Sequence, residues 1–288
     1  MVNQTPGQPE YEYDWQNPNH KTFDFGKVFG NAFSSFFGNF KALLLPLLVA
    51  SLALSLFTTI ATASMVDQMQ DFIEDPTGGN FGGYMAFTVG TNLVSLFLAV
   101  WFQIVVIHKS YAYITKNDKF SENSIQKALK FLVPVFFMAL IYLIVCIAGF
   151  YALLIGFVFV WPGWALAGPV YIVERKGVFG SLGRAWTLAK GNKRWILLLL
   201  IVLGAILFCA YLIVFFIMAL GGAGNVFDPN SIDLSTINYY SPVMIAMTVL
   251  SSFVSLTSYG VFASAITAAY VEIRGIKEGE SEISKIFS

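Results

Sequence analysis

Apolar side chains in this chain are gathered into long uncharged runs rather than spread at the spacing of a soluble core. Five runs stand out: Ala42 to Met65, Tyr84 to Ile107, Phe131 to Val173, Trp195 to Leu220 and Pro242 to Tyr270. A helix rising 1.5 Å per residue needs about 20 apolar residues to cross roughly 30 Å of hydrocarbon, so each run predicts a membrane-crossing helix. The third is too long for one crossing, since about 43 residues of helix would extend some 65 Å. It is expected to fold back near Gly149 to Gly156. Six spans result, at about residues 42–65, 84–107, 131–150, 154–173, 195–220 and 242–270.

A shorter period appears ahead of some spans. Phe25, Val28, Phe29, Ala32, Phe33, Phe36, Phe37 and Phe40 recur at steps of three and four, with Lys27, Asn31, Ser34, Ser35 and Asn39 opposite. This is the pattern of an amphipathic helix lying in the interface. Val178, Phe179, Leu182, Ala185, Trp186 and Ala189 repeat it before the fifth span, with Ser181, Arg184, Thr187 and Lys190 opposite. The two segments align without a gap: Gly30-Asn31-Ala32-Phe33-Ser34 on Gly183-Arg184-Ala185-Trp186-Thr187, and Gly38-Asn39 on Gly191-Asn192. A fainter version, Ile125, Ala128, Leu129 and Leu132, precedes the third span. The predicted architecture is all-α: three transmembrane hairpins, each entered through an interfacial helix, as an internal repeat in one sense. Glycine at the helix end is expected to take a left-handed cap conformation. Phe29, Phe33, Phe36, Trp186 and Trp195 are the expected interfacial anchors.

Two spans carry departures. Ser251, Ser255, Gly260, Ser264 and Ala268 bring small residues four apart in the last span, which predicts a central helix with close neighbours. Pro162, Gly163, Gly168 and Pro169 are expected to bend the fourth.

Composition agrees with this picture. Of 288 residues, 57% are apolar and 12% charged, against roughly 25% charged in a soluble domain, and mean hydropathy is +0.68. Net charge is zero, so the total gives no nucleic-acid footprint. The distribution is sharper. All 17 Lys and Arg fall in the amino-terminal region, between spans two and three, between four and five, or after span six. The loops between spans one and two and between five and six carry only acids: Asp67, Asp71, Glu74 and Asp75, then Asp228 and Asp233. Basic residues flank cytoplasmic helix ends, which predicts both termini inside and an even number of spans. The reading is a polar tail at 1–22, one membrane domain at 23–275 and a tail at 276–288. Residues 1–22 lack a basic start followed by a short apolar stretch, so no cleavable leader is expected.

Little in the chain suggests catalysis. No span contains Asp, Glu, Lys, Arg or His, the residues that mark proton relays and intramembrane active sites. Asn92 and Gln103 are the most polar groups in span two and read as interhelical bonding partners. His20 and His108 have no second ligand at metal spacing, and Gly221-Gly222-Ala223-Gly224 lacks the lysine of a phosphate loop. Cys146 and Cys209 lie at similar depth in spans three and five, as neighbours or as small packing residues. No catalytic residue, metal or cofactor is predicted.

What remains is the basic face. Arg184, Lys190, Lys193 and Arg194 gather around the helix before span five, where a cation near an anionic leaflet contributes about 1 kcal/mol. Glu174 and Glu272 close spans four and six, with Arg274 nearby, so an acid–base network is expected there. These residues, with Glu174 and Arg274 included, are the candidate headgroup or partner contacts.

The entry Phe25 to Asn39, the segment Val173-Glu174-Arg175-Lys176-Gly177 through Gly180 to Gly191, and Tyr270-Val271-Glu272-Ile273-Arg274 with Lys277-Glu278-Gly279 resemble a bacterial family. It is the multi-span membrane domain found ahead of some glycerophosphoryl diester phosphodiesterases. The resemblance implies a helical inner-membrane module without assigned chemistry. The phosphodiesterase barrel needs about 250 residues, and the short tails and loops here provide no room for it. Two classes of function follow: a non-catalytic membrane module that binds lipids or recruits protein partners at the cytoplasmic leaflet, or a carrier of an apolar or lipid substrate enclosed by the hairpins. The lack of a coupling residue favours the first.

Overall fold

In hydrocarbon a backbone must satisfy its own hydrogen bonds, and a helix does so within a single segment. The computed structural model describes residues 22–74, 81–151, 155–220 and 240–278, which are helical throughout apart from short turns, with no strand among them. The elements in chain order are α1 (Phe25–Gly38), α2 (Phe40–Glu74), α3 (Phe81–Thr115), α4 (Asp118–Ser121), α5 (Ser124–Tyr151), α6 (Ile155–Trp164), α7 (Ala167–Glu174), α8 (Val178–Ala189), α9 (Lys193–Leu220) and α10 (Pro242–Glu278). Five of them, α2, α3, α5, α9 and α10, are long and apolar enough to cross a membrane. Asp75, Asp228 and Asp233 lie outside the described residues, as do 1–21 and 279–288, and α10 runs past residue 275, where a tail was expected.

The long third run divides as its length requires, but the returning half is not one helix. It is α6 and α7, separated at Ala165–Leu166. Pro162 and Pro169 have no N–H to donate to the preceding turn, and Pro169 sits in the first turn of α7, where that donor is dispensable. α6 packs on α5, with Tyr142 Oη donating to the Trp161 carbonyl at 3.2 Å. α7 ends beside the start of α5, where the rings of Phe131 and Tyr171 meet at 6.0 Å.

α1 and α8 form where the shorter period was read. Asp24 caps α1, its Oδ1 accepting from Lys27 N at 2.9 Å. The buried positions of α1, Val28, Ala32, Ser35 and Phe36, fall in the gapless alignment on Ser181, Ala185, Leu188 and Ala189 of α8, which are also buried. The correspondence continues into the following helices: Leu43, Pro46, Leu47 and Ala50 match Ile196, Leu199, Leu200 and Leu203, all buried. The expected third entry helix is absent. Ile125, Ala128, Leu129 and Leu132 belong to the first turns of a continuous α5, because no Gly-Asn pair follows them to end a helix.

The two helix-end glycines differ. Gly191 takes φ +89, as a left-handed cap requires. Gly38 keeps negative φ and is needed for space: a Cβ there would meet Tyr113 Cε2 at 2.8 Å. Asn39 closes α1 instead, its Nδ2 donating to Ser35 O at 2.8 Å and to Lys109 O at 3.4 Å.

α10 is the hub, packing on α1, α2, α3, α7, α8 and α9. Its small residues make this possible. A Cβ on Gly260 would lie 2.5 Å from Phe36 Cε2 and 3.0 Å from Phe102 Cε1, and Ser264 Oγ meets Ser110 Oγ at 2.8 Å inside the α3–α10 contact. Phe36, read as an interfacial anchor, is therefore a core residue with no exposure.

Candidate functional site

The basic ends of the helices converge on one end of the bundle, where α7, α8 and α10 are joined by a closed ring of polar contacts. Glu174 terminates α7. Its Oε2 accepts from Arg184 Nε of α8 at 3.2 Å and pairs with Lys176 Nζ at 3.1 Å, and its Oε1 accepts from Tyr270 Oη of α10 at 3.0 Å. Tyr270 Oη in turn accepts from Arg274 Nη1 at 2.9 Å. Arg274 Nε bonds Glu278 Oε2 at 2.7 Å, and Arg184 Nη2 completes the circuit at Glu278 Oε1.

Helical spacing explains the half that α10 contributes. Tyr270, Arg274 and Glu278 follow one another at steps of four and so share a face. The other half comes from α7 and α8, linked by a turn in which Arg175 and Gly177 both take positive φ. Lys277 fastens the same corner, its Nζ donating to Thr187 O at 2.8 Å and Lys190 O at 2.9 Å, a cation on the orphan carbonyls of a helix C-terminus. On the far side of α10, Glu272 pairs with Lys27 of α1 at 2.8 Å. The expected acid–base network thus exists, with Glu272 turned away from it.

The Glu174 side chain is only 6% exposed. Burial by itself would raise its carboxyl, but Arg184, Lys176 and the Tyr270 hydroxyl together overcome this and hold it below the usual carboxylate range. Its charge is therefore kept and already neutralised. The ring contains no nucleophile paired with a base, and no group of three His, Cys, Asp or Glu able to hold a metal occurs among the described residues. Chemically the ring can clamp three helices together.

The six candidate contact residues consequently separate into two sets. Arg184, Glu174 and Arg274 are committed to the ring. Lys190, Lys193 and Arg194 form no ion pair with a carboxylate among the described residues, and they lie along the α8–α9 turn. Lys193 Nζ sits 3.1 Å from the centroid of the Trp186 ring, and the Arg194 guanidinium lies 5.5 Å from that of Trp195. Trp186 is held from behind by α6, where a Cβ on Gly163 would come within 2.4 Å of its ring. Trp195 stacks on Phe23 at 6.4 Å. On α1, Phe25, Phe29, Phe33 and Phe37 form a ladder with successive centroids 6.1, 4.8 and 6.1 Å apart. The result is a cationic edge backed by aromatic rings.

Tyr270, Glu278, Lys277 and the Lys27–Glu272 pair escaped the sequence reading. The step-of-four spacing of 270, 274 and 278 was a usable signal for the first two. His108 is buried, its Nδ1 2.8 Å from Ile104 O and its ring stacked on Phe120 and Phe131, a packing position. Cys146 and Cys209 are both free thiols, one half-buried and one exposed. Comparison with known families, curated proteins and solved structures finds no match.

Proposed function

We propose that the protein is a non-catalytic integral membrane module that engages lipid headgroups, and through them or beside them protein partners, at the cytoplasmic leaflet of a bacterial inner membrane. One observation carries the reading: Lys190, Lys193 and Arg194 remain outside the ion-pair ring and are backed by Trp186 and Trp195, an arrangement suited to the headgroup level of a bilayer. In this reading the crossings number six, α6 and α7 together forming the fourth, and both termini are cytoplasmic. The matched burial of α1–α2 and α8–α9 supports an internal repeat of interfacial helix and span. The proposed character agrees with the module implied by the resemblance to the phosphodiesterase-associated membrane domain.

The test is lipid enrichment around the full-length protein in nanodiscs of mixed zwitterionic and anionic phospholipid. The triple variant Lys190→Gln, Lys193→Gln, Arg194→Gln is expected to lose most of the anionic enrichment seen with the wild type. Unchanged enrichment would overturn the reading.

A further inference from the structure

A second polar feature lies at the same end of the bundle, away from the ring. A cavity of about 530 Å³ opens where the first turns of α2 and α5 meet the last turns of α3. Its walls include Ala42, Val105, Lys109, Glu122, Ser124 and Ile125. The Lys109 ammonium makes no ion pair or hydrogen bond with the described residues. Ser124, the first residue of α5, is 4% exposed, and its hydroxyl likewise has no hydrogen-bond partner among them. The free N–H groups of the first turn of a 28-residue helix open beside it. A buried hydroxyl with nothing to bond, an unpaired cation and a helix N-terminus make a site for a phosphate oxygen.

The surroundings decide which phosphate. Two exposed apolar stripes start at the cavity wall and run away from the basic end: Ile125, Leu129, Val133 and Phe137 on α5, and Leu45, Val49, Leu52 and Leu56 on α2, beyond Ala42. A soluble anion has no use for them, whereas acyl chains attached to a bound phosphate would lie along them. Glu122 on the wall disfavours a second negative charge and suits an ammonium.

We infer that this cavity binds one phospholipid with a zwitterionic headgroup, its phosphate at Lys109, Ser124 and the N-terminus of α5, its ammonium at Glu122 and its chains along the two stripes. The inference rests on the chain being a lipid-engaging membrane protein but assigns a discrete site remote from the cationic edge.

Native mass spectrometry of the full-length protein in detergent tests it, with phosphatidylethanolamine, phosphatidylglycerol and inorganic phosphate as the probes. One phosphatidylethanolamine is expected to be retained. Lys109→Gln should weaken retention about tenfold, as expected for loss of one charge-assisted contact, with Lys109→Arg restoring most of it. Ser124→Ala should weaken it about threefold, again the scale of one hydrogen bond. Glu122→Gln should remove the preference for ethanolamine over glycerol headgroups. Should Lys109→Gln lose its wild-type helicity or elution volume, the other two variants decide the matter. Retention unaffected by these substitutions, or displacement of the lipid by equimolar inorganic phosphate, would overturn the assignment. The cationic-edge triple variant should leave this single lipid in place, and Lys109→Gln should leave the bulk anionic enrichment unchanged, so either reading can fail alone.

Discussion

Tyr270 holds the ring together because its hydroxyl both donates to Glu174 and accepts from Arg274, and it does so without exposure. Replacing it by Phe removes both bonds and strands a carboxylate and a guanidinium that are themselves nearly buried. A loss of about 1.5–3 kcal/mol is expected, read as a lower thermal unfolding midpoint in detergent with unchanged helicity. Glu174 adds a pH dependence. Its carboxyl is lower in the folded than in the unfolded chain, where the ordinary value is near 4.5. Its stabilisation is therefore complete above that value and disappears as pH falls through the lowered folded one. Glu174→Gln should unfold at a lower temperature than the wild type at pH 7, and the gap should close below about pH 4.5. The sequence revealed the members of this cluster as charges near helix ends, but not their pairing. Glu174 reaches residues about 10 and about 100 positions away, and only the docking of α7 and α8 on α10 brings them within bonding range.

Docking of whole helices depends on where side chains are missing. Gly260 lets Phe36 of α1 and Phe102 of α3 lie against α10, and a methyl group there would overlap the Phe36 ring. Gly260→Ala is expected to cost about 1–3 kcal/mol. Adding Phe36→Leu should recover part of that loss, so unfolding midpoints of the two single variants and the double should be non-additive; strict additivity would mean that α1 does not rest on this glycine. The small-residue spacing of α10 was legible because close packing in lipid selects for it. Phe36 was misread for a related reason. A phenylalanine on the apolar face of an entry helix looks the same in sequence whether that face meets lipid or another helix, and only the partner at Gly260 distinguishes them. The entry expected before α5 failed differently. Its step-of-four periodicity is real, but periodicity does not end a helix, and no counterpart of Gly38-Asn39 or Gly191-Asn192 follows Leu132.

For the molecule as a whole, the open quantity is the number of crossings, and it turns on α6 and α7. Neither is long enough to span alone, yet α6 packs along α5 and α7 ends where α5 begins, with Arg175 lying 5.8 Å from the Phe131 ring centroid. A chain that leaves along α5 and returns to its starting end has made two passages, and a broken helix is tolerated at membrane depth where neighbours cover its freed carbonyls; here α5, α8 and α9 pack on α6. Single cysteines in a variant lacking Cys146 and Cys209 can decide it. With six crossings, Lys116→Cys and Lys190→Cys should be reached by an impermeant thiol reagent from the same side, and Asp71→Cys from the other. If α6 and α7 do not cross, Lys190→Cys joins Asp71→Cys instead. That outcome would place the Lys190, Lys193 and Arg194 edge on the side opposite Lys109, and the single basic end on which both lipid proposals depend would not exist. Labelling of position 190 thus tests the topology and the common premise of the two sites in one measurement.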